Sequence, residues 1–188
     1  MTEWKASGEH TFVMGYEESY GYLAGDYARD KDAVLASALV CEMAHYYKQK
    51  GITLYEALEN LYKKYGYFLE NVQAFTMEGI EGKAKINSIM EQFRKDHLDH
   101  FADEKLVVLN DYQSSESTNL ETEEKTVIDL PKSNVLKFVF DKNSWYALRP
   151  SGTEPKLKIY YSVVGKSHKD AEAKMAELKA AVAKNIPE

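Results

Sequence analysis

Cysteine, proline and long apolar runs are all scarce in this chain. Among 188 residues there are one cysteine and four prolines, so an internal disulfide is excluded. Cys41 falls on an apolar helical stripe, where we expect it to pack as a small hydrophobic residue. No apolar run approaches the roughly 20 residues of a membrane-spanning helix, and residues 1–5 lack the apolar core of a secretion signal. These absences predict a reduced, cytoplasmic setting and no membrane partner.

An excess of basic residues is absent as well. The chain has 24 lysines and arginines against 30 aspartates and glutamates, which gives a net charge of −6. A general nucleic-acid-binding protein needs a basic face to neutralise phosphates, so we expect no nucleic-acid partner. His97 and His100 have a spacing seen in metal sites, but beyond Asp99 and Asp103 no third ligand is evident. We therefore expect no metal site in this chain.

The first third of the chain has too few strands for a core of its own. Its pattern predicts a strand at residues 12–14, a loop marked by Gly15 and Gly21, a helix over about 30–50 that stops at Gly51, and a second helix from a capping box at Thr53–Glu56 to Gly66. No partner strand is evident for residues 12–14. Residues 1–66 are therefore interpreted as part of a larger domain.

Residues 67–188 have the pattern of a separate α+β unit. Apolar spacing predicts the order β-α-β-β-β-β-α, with strands at 67–76, 106–109, 135–140, 145–148 and 157–164, an amphipathic helix around Ile86–Phe93, and a last helix from a capping box at Ser167 and Asp170. Residues 110–126 are polar and acidic, which predicts an exposed, mobile loop. The expected architecture is a mainly antiparallel sheet with helices on one face.

The octet Arg149-Pro150-Ser151-Gly152-Thr153-Glu154-Pro155-Lys156 connects two of these strands and suits a phosphate. The arginine fork matches phosphate oxygens, and the serine and threonine add hydroxyls. Gly152 is expected to turn the backbone with positive φ, so that successive N–H groups converge on an anion. The alternative is an ordinary Pro/Ser/Gly turn with a surface arginine.

This octet is accompanied by a second motif, Gly15-Tyr16-Glu17-Glu18-Ser19-Tyr20-Gly21, and by the helix start Arg29-Asp30-Lys31-Asp32-Ala33. Together, in this order and at this separation, they resemble the α-D-phosphohexomutase superfamily, and more narrowly its bacterial phosphoglucomutase/phosphomannomutase branch. The resemblance covers nearly the whole chain. It rests on two long motifs rather than on a lone glycine pattern.

The resemblance implies a domain organisation. The family's enzymes have four domains around a deep cleft, and one loop from each domain meets at the active site. Residues 1–66 match the end of the third domain, a mostly helical remnant of an α/β domain. Residues 67–188 match the complete fourth domain, for which the family implies a TATA-box-binding-protein-like fold.

The resemblance also implies roles for individual residues. In the family, a glutamate and a serine of the third-domain loop bind the sugar hydroxyls, and these positions match Glu17 and Ser19. The fourth-domain loop grips the substrate's non-reacting phosphate. This role carries over to Arg149, Ser151, Gly152 and Thr153, with Lys156 as a further candidate.

Two functional parts of the family have no match in this sequence. Neither the Ser-His-Asn-Pro type loop, which carries the phosphoryl group, nor the Asp-Gly-Asp-Gly-Asp loop, which holds Mg²⁺, occurs. We therefore expect no catalytic or metal-binding residues in this chain and no activity from it alone. The full-length enzyme would interconvert hexose 1-phosphate and hexose 6-phosphate through a bisphosphate intermediate. It would need the N-terminal domains, Mg²⁺ and a hexose 1,6-bisphosphate activator.

Two alternative interpretations are compatible with these residues. The chain could be a stand-alone, non-catalytic sugar-phosphate-binding or regulatory module, or a truncated product with no activity of its own. The loops do not discriminate glucose from mannose phosphates. An apolar surface left exposed on residues 1–66 would favour a dimer.

Overall fold

The computed structural model describes residues 6–17, 20–78 and 81–186. The chain divides into two compact units, Met1–Leu61 and Tyr62–Glu188. The domain boundary predicted between residues 66 and 67 lies a few residues further along the chain. No helix in the described ranges is long and apolar enough to cross a membrane.

The first unit begins with a short hairpin. Strand β1 (Met14–Tyr16) pairs antiparallel with β2 (Tyr22–Ala24), and Gly15 lies opposite Leu23. The expectation of an unpartnered strand at residues 12–14 was therefore wrong, and Gly15 lies inside a strand rather than in the loop. A three-residue strand is too short to show an alternating pattern, so its partner could not be recognised from the sequence.

Two helices follow the hairpin, α1 (Ala33–Gln49) and α2 (Leu54–Tyr65). The Asp32 carboxylate accepts hydrogen bonds from the backbone N–H groups of Val34 and Leu35, at 2.8 and 3.0 Å, and so caps α1. The predicted capping box of α2 is confirmed. The Thr53 N–H donates to the Glu56 carboxylate at 2.7 Å, and the Glu56 N–H donates to the Thr53 hydroxyl at 3.1 Å.

The apolar side of α1 is not covered. None of its residues is buried, and Cys41 is exposed. The expectation that Cys41 packs in a core was therefore wrong. The apolar residues near Cys41 do lie on one side of α1, but in the described part of the chain no element buries that side.

The second unit is built on one antiparallel sheet. Its strand order is β3-β10-β9-β8-β5-β6-β7, with β4 paired to β5, and every pairing is antiparallel. The strands are β3 (Tyr67–Thr76), β4 (His100–Phe101), β5 (Glu104–Asp111), β6 (Glu116–Asn119), β7 (Lys125–Val127), β8 (Leu136–Phe140), β9 (Trp145–Pro150) and β10 (Lys156–Gly165); the helices are α3 (Gly82–Lys95) and α4 (His168–Ala183).

Both helices cover the same face of this sheet. Alternate residues of the central strands point into a single core cluster, which also contains Ile89 and Phe93 of α3 and Leu178 and Val182 of α4. The other side chains of these strands lie on the opposite, open face. The predicted α+β class, with helices on one face of an antiparallel sheet, is confirmed.

An exposed, mobile loop was expected at residues 110–126, but this polar segment is not a free loop. It contains β6 and β7, and Ser117 of β6 pairs with Asn110 on one side and Thr126 on the other. Backbone groups form these ladders, and Leu120 packs against the core. The polar side chains of an outer strand do not produce the apolar alternation by which sequence patterns identify strands.

A buried ion pair fastens α4 to the sheet. The Lys174 ammonium lies 2.7 Å from a carboxylate oxygen of Glu104, a residue only 1% exposed. The Ser144 hydroxyl donates to the same oxygen at 2.9 Å. Burial lowers the pKa of Lys174, but the hydrogen bonds and charges of Glu104 and Asp103 outweigh it and leave that pKa raised. The ammonium is therefore charged at neutral pH.

Candidate functional site

The loop matched to sugar recognition is a tight turn at the end of the β1–β2 hairpin. The Glu17 N–H donates to the Gly21 carbonyl at 2.8 Å, and the Tyr20 N–H donates to the Glu17 carbonyl at 3.2 Å. Tyr20 adopts a positive φ of 67° to close the turn. Ser19 lies outside the described residues, so its role in sugar binding remains a prediction.

Glu17 is held by a lysine that the sequence analysis did not single out. The Lys31 ammonium lies 3.2 Å from a Glu17 carboxylate oxygen, and both side chains remain about half exposed. The hydrogen bond and charge of Glu17 raise the pKa of Lys31, and the charge of Asp30 adds to this. Lys31 lies just before the α1 cap, within the helix start that carries part of the family resemblance. Its position beside Glu17 depends on the hairpin and is not visible in the sequence.

Gly21 allows this ion pair to lie against the backbone. A Cβ added at Gly21 would lie 2.7 Å from the Glu17 carboxylate oxygen and 2.8 Å from Cδ of Lys31. Both side chains would then have to move. A cavity of about 210 Å³ adjoins the pair, and Arg29 and Asp30 also line it. The Glu17 carboxylate, paired with Lys31, therefore lies at the edge of a cavity that Arg29 also lines.

The loop matched to phosphate binding connects the neighbouring strands β9 and β10. The Ser151 N–H donates to the Lys156 carbonyl at 2.8 Å, and the Glu154 N–H donates to the Ser151 hydroxyl at 3.3 Å. A further bond, from the Met77 N–H to the Pro155 carbonyl at 2.9 Å, fastens the loop beside the end of β3. The loop is thus fixed at both of its ends.

Gly152 does not have the conformation expected from the sequence. It is not among the glycines with positive φ, so the expectation of a left-handed turn there was wrong. The bonds at Ser151 and Glu154 close the turn without it. No protein atom lies within 4 Å of where a Cβ would stand, so the glycine leaves open space at the tip of the loop.

Arg149 and Lys158 lie on the two strands that flank this loop. They are directly paired across β9 and β10, and both are exposed. Their strand neighbours Leu148, Leu157 and Ile159 are buried in the core, so the alternation of side chains places both cations on the open face. Within the described ranges neither forms an ion pair.

Of the two lysines of β10 that lie on this face, the family resemblance implied Lys156 and not Lys158. Lys156 forms an ion pair with Glu154 of the loop, with 3.0 Å between the charged atoms. Its role at a phosphate therefore stays a prediction, while Lys158 has its charge available. The strand alternation could have indicated Lys158, because residues 156, 158 and 149 share the face opposite the core.

On its inner side the loop faces helix α3. Residues 150–155 line a cavity of about 220 Å³ together with Lys83, Ile86 and Asn87. Arg149 is not part of this lining. The loop therefore has a strand side with Arg149 and Lys158 and a helix side with Lys83 and Asn87.

Two family models match this chain. The model described as phosphoglucomutase/phosphomannomutase, alpha/beta/alpha domain III, matches residues 4–65, and the model of the C-terminal domain of the same family matches residues 86–184. The chain belongs to the phosphoglucomutase/phosphomannomutase family. The resemblance drawn from the two loop motifs is thereby confirmed.

Curated relatives carry the name phosphoglucomutase. The chain is 41% identical over 157 residues to one from Staphylococcus epidermidis, which covers 84% of this chain and 29% of that protein. It is 42% identical over 151 residues to one from Staphylococcus aureus, which covers 80% of this chain and 27% of that protein. The chain thus spans less than a third of the length of these relatives.

A solved structure shares the fold. The chain aligns with the phosphoglucomutase pp63/parafusin from Paramecium at a TM-score of 0.63 and 17% sequence identity, over 98% of this chain and 32% of that one. At this identity the likeness concerns the fold alone.

Proposed function

We propose that this chain is the sugar-phosphate-binding portion of an enzyme that interconverts hexose 1-phosphate and hexose 6-phosphate through a bisphosphate intermediate. Family membership supports the class of enzyme. The observation that carries the binding role is the cross-strand pair of Arg149 and Lys158 beside the loop. Like charges directly opposite each other destabilise a sheet, and a bound phosphate would relieve that repulsion.

The loop supplies the remaining contacts to the phosphate. Arg149 can donate two parallel hydrogen bonds to phosphate oxygens. The Ser151 hydroxyl already accepts a bond from the Glu154 N–H, which leaves its own hydrogen to donate. Thr153 adds a second hydroxyl, and the space at Gly152 admits the anion. Lys158 would add a second positive charge.

Glu17 and Ser19 are proposed to orient the sugar. A carboxylate can accept several hydrogen bonds, so Glu17 can keep its bond from Lys31 and also accept from sugar hydroxyls. The Lys31 ammonium, 3.2 Å away, holds the carboxylate in place. One set of contacts has to serve both orientations of the intermediate, and adjacent hydroxyls on a sugar ring suit a paired acceptor of this kind.

In this proposal the residues of this chain bind the substrate and do not make or break bonds. The binding energy orients the substrate for the transfer step. The transfer itself needs a nucleophile and a metal to handle the developing charge. We propose that other domains of the same enzyme supply these, with Mg²⁺ and a hexose 1,6-bisphosphate activator, in the cytoplasm. Self-association through the uncovered side of α1 is also a proposal.

An NMR titration of the 188-residue chain tests this proposal. Glucose 6-phosphate and inorganic phosphate are expected to shift the amide signals of residues 149–158 saturably, with an affinity in the millimolar range, roughly −4 kcal/mol. Free glucose is expected to leave them unchanged. Absence of saturable shifts with either phosphate compound would contradict the proposal. No observation favours the alternative of a stand-alone regulatory module.

A further inference from the structure

Lys83 occupies a position in α3 that the helix itself does not favour. It is the second residue of the helix, in a first turn that contains no acidic residue, and the preceding Glu81 makes no side-chain capping bond. The N-terminal end of a helix carries a partial positive charge, which repels a cation. Within the described part of the chain the Lys83 side chain has no ion pair or hydrogen bond that would offset this.

Lys83 lines the cavity beside the phosphate loop. Lys83 and Asn87 are four residues apart, so they lie on the same side of α3, and both line the cavity of about 220 Å³. This volume is several times the roughly 30 Å³ of one water molecule. Glu154, the acidic residue in the lining, is paired with Lys156 rather than with Lys83.

We infer that Lys83 and Asn87 form a second wall of the phosphate site. In this arrangement the Lys83 ammonium and the Asn87 amide donate hydrogen bonds to the phosphate group that Ser151, Gly152 and Thr153 hold, on the side opposite the strands. The inference rests on the proposed function, which assigns the phosphate to this loop. It goes further by making α3 part of the recognition surface.

The position of Lys83 at the start of α3 and its place in the cavity lining both favour a role in binding. A polar side chain that breaks a local preference without a compensating contact in the fold is expected mainly at functional sites. Lys83 breaks the preference of the helix end, and it does so beside the cavity that it lines together with the loop. Lys83 and Asn87 are both exposed, so their polar groups are available to a ligand in the cavity.

The test compares two lysines of the same helix. Lys83→Gln and Lys95→Gln change the net charge equally, but Lys95 is the last residue of α3, away from the cavity and where a cation is favoured. Affinity for inorganic phosphate and for glucose 6-phosphate is measured by NMR on the full chain at constant ionic strength. Thermal unfolding without ligand is measured in parallel.

Lys83→Gln is expected to weaken both affinities roughly three- to tenfold and to leave the Tm unchanged or raised. Asn87→Ala is expected to weaken them about twofold to fivefold. Lys95→Gln is expected to leave the affinities unchanged and to lower the Tm slightly. Lys83→Arg is expected to retain binding.

Three results would overturn the inference. If Lys83→Gln and Lys95→Gln weaken binding equally, the effect is one of net charge. If Lys83→Gln has no effect while Arg149→Ala abolishes binding, the inference fails and the proposed function stands. If the wild-type chain shows no saturable binding, both fail.

Discussion

Arg149 of β9 and Lys158 of β10 lie directly opposite each other on the open face of the sheet, beside the loop that joins the two strands. Two cations in this register repel each other, and neither is neutralised within the described residues. The fold therefore maintains a concentration of positive charge at the ends of two of its central strands, where the family motif lies.

A first prediction concerns the balance between stability and binding at this pair. Lys158→Gln is expected to keep or raise the Tm, because it removes a repulsion, and to weaken phosphate binding roughly tenfold. Thermal unfolding with and without phosphate measures both effects, since ligand binding raises the Tm by mass action. Lys132→Gln, an exposed lysine outside the strands, is the control. A fall in Tm with unchanged binding would show a structural role for Lys158.

A second prediction separates the two loops by their glycines. In a full-length enzyme that contains this chain, Gly21→Ala is expected to displace the Glu17–Lys31 pair and to lower kcat/KM for hexose phosphate about tenfold. Affinity for inorganic phosphate should not change. Gly152→Ala is expected to weaken the binding of inorganic phosphate, because its methyl group fills the space at the loop tip.

Two quantities are measured for each glycine variant: kcat/KM for hexose phosphate and the inhibition constant of inorganic phosphate. A Cβ added at Gly152 would have no atom of another loop or element within 4 Å, so Gly152→Ala is expected to fold with unchanged stability. It therefore controls for an effect that any glycine-to-alanine substitution would have on folding. Equal loss of phosphate affinity in both variants would contradict the separate roles of the two loops.

The helices and strands that the sequence predicted correctly depend on local signals. The box at Thr53 and Glu56 forms as expected, and at α4 the Asp170 N–H donates to the Ser167 hydroxyl at 3.2 Å. The apolar spacing around Ile86 and Phe93 likewise gave a helix on the core. In each case the residues that decide the structure are neighbours in the sequence.

Several of the incorrect or missing predictions involve residues that are brought together only by folding. Polar strand β6 forms because both of its neighbours offer backbone groups, and Lys31 reaches Glu17 across the hairpin. Lys158 lies directly opposite Arg149 because of the register of β9 and β10, and the packing of α3 places Lys83 in the lining of the cavity beside the loop. The roles predicted for Glu17, Ser19 and the octet came from the family motif, because residue types alone left an ordinary turn as an alternative.

A third prediction concerns the buried ion pair. Lys174→Met is expected to destabilise the chain by about 3–5 kcal/mol, because it leaves the buried Glu104 carboxylate without its counter-ion. The double variant Lys174→Met with Glu104→Leu is expected to recover much of this loss. Urea unfolding of both variants checks the prediction. A single variant as stable as the wild type would show that the pair is not a structural determinant.

A fourth prediction concerns acid stability. The Asp103 carboxylate is hydrogen-bonded by the Lys142 ammonium at 2.7 Å and contacts the Lys174 ammonium at 3.3 Å, and these cations lower the pKa of Asp103 from 3.8 to about 2. Because the folded state favours the ionised form, the contribution of Asp103 is complete above the unfolded pKa. It is lost as the pH falls through the folded pKa.

The free energy of unfolding should therefore decrease more steeply between about pH 4 and pH 2 in the wild type than in Asp103→Asn. Urea unfolding at several pH values in this window measures the two slopes. At pH 7 the variant should be the less stable of the two. Parallel curves over the whole window would contradict this role of Asp103.

Arg149 is proposed to hold the phosphate, and the kinetics of Arg149→Ala in a full-length enzyme containing this chain test the phosphate-binding role of the loop most directly. Loss of a charged, bidentate contact is expected to lower kcat/KM by the equivalent of about 2–4 kcal/mol, with Lys132→Gln unchanged. An Arg149→Ala enzyme with the kcat/KM of the wild type would contradict the phosphate-binding role of the loop.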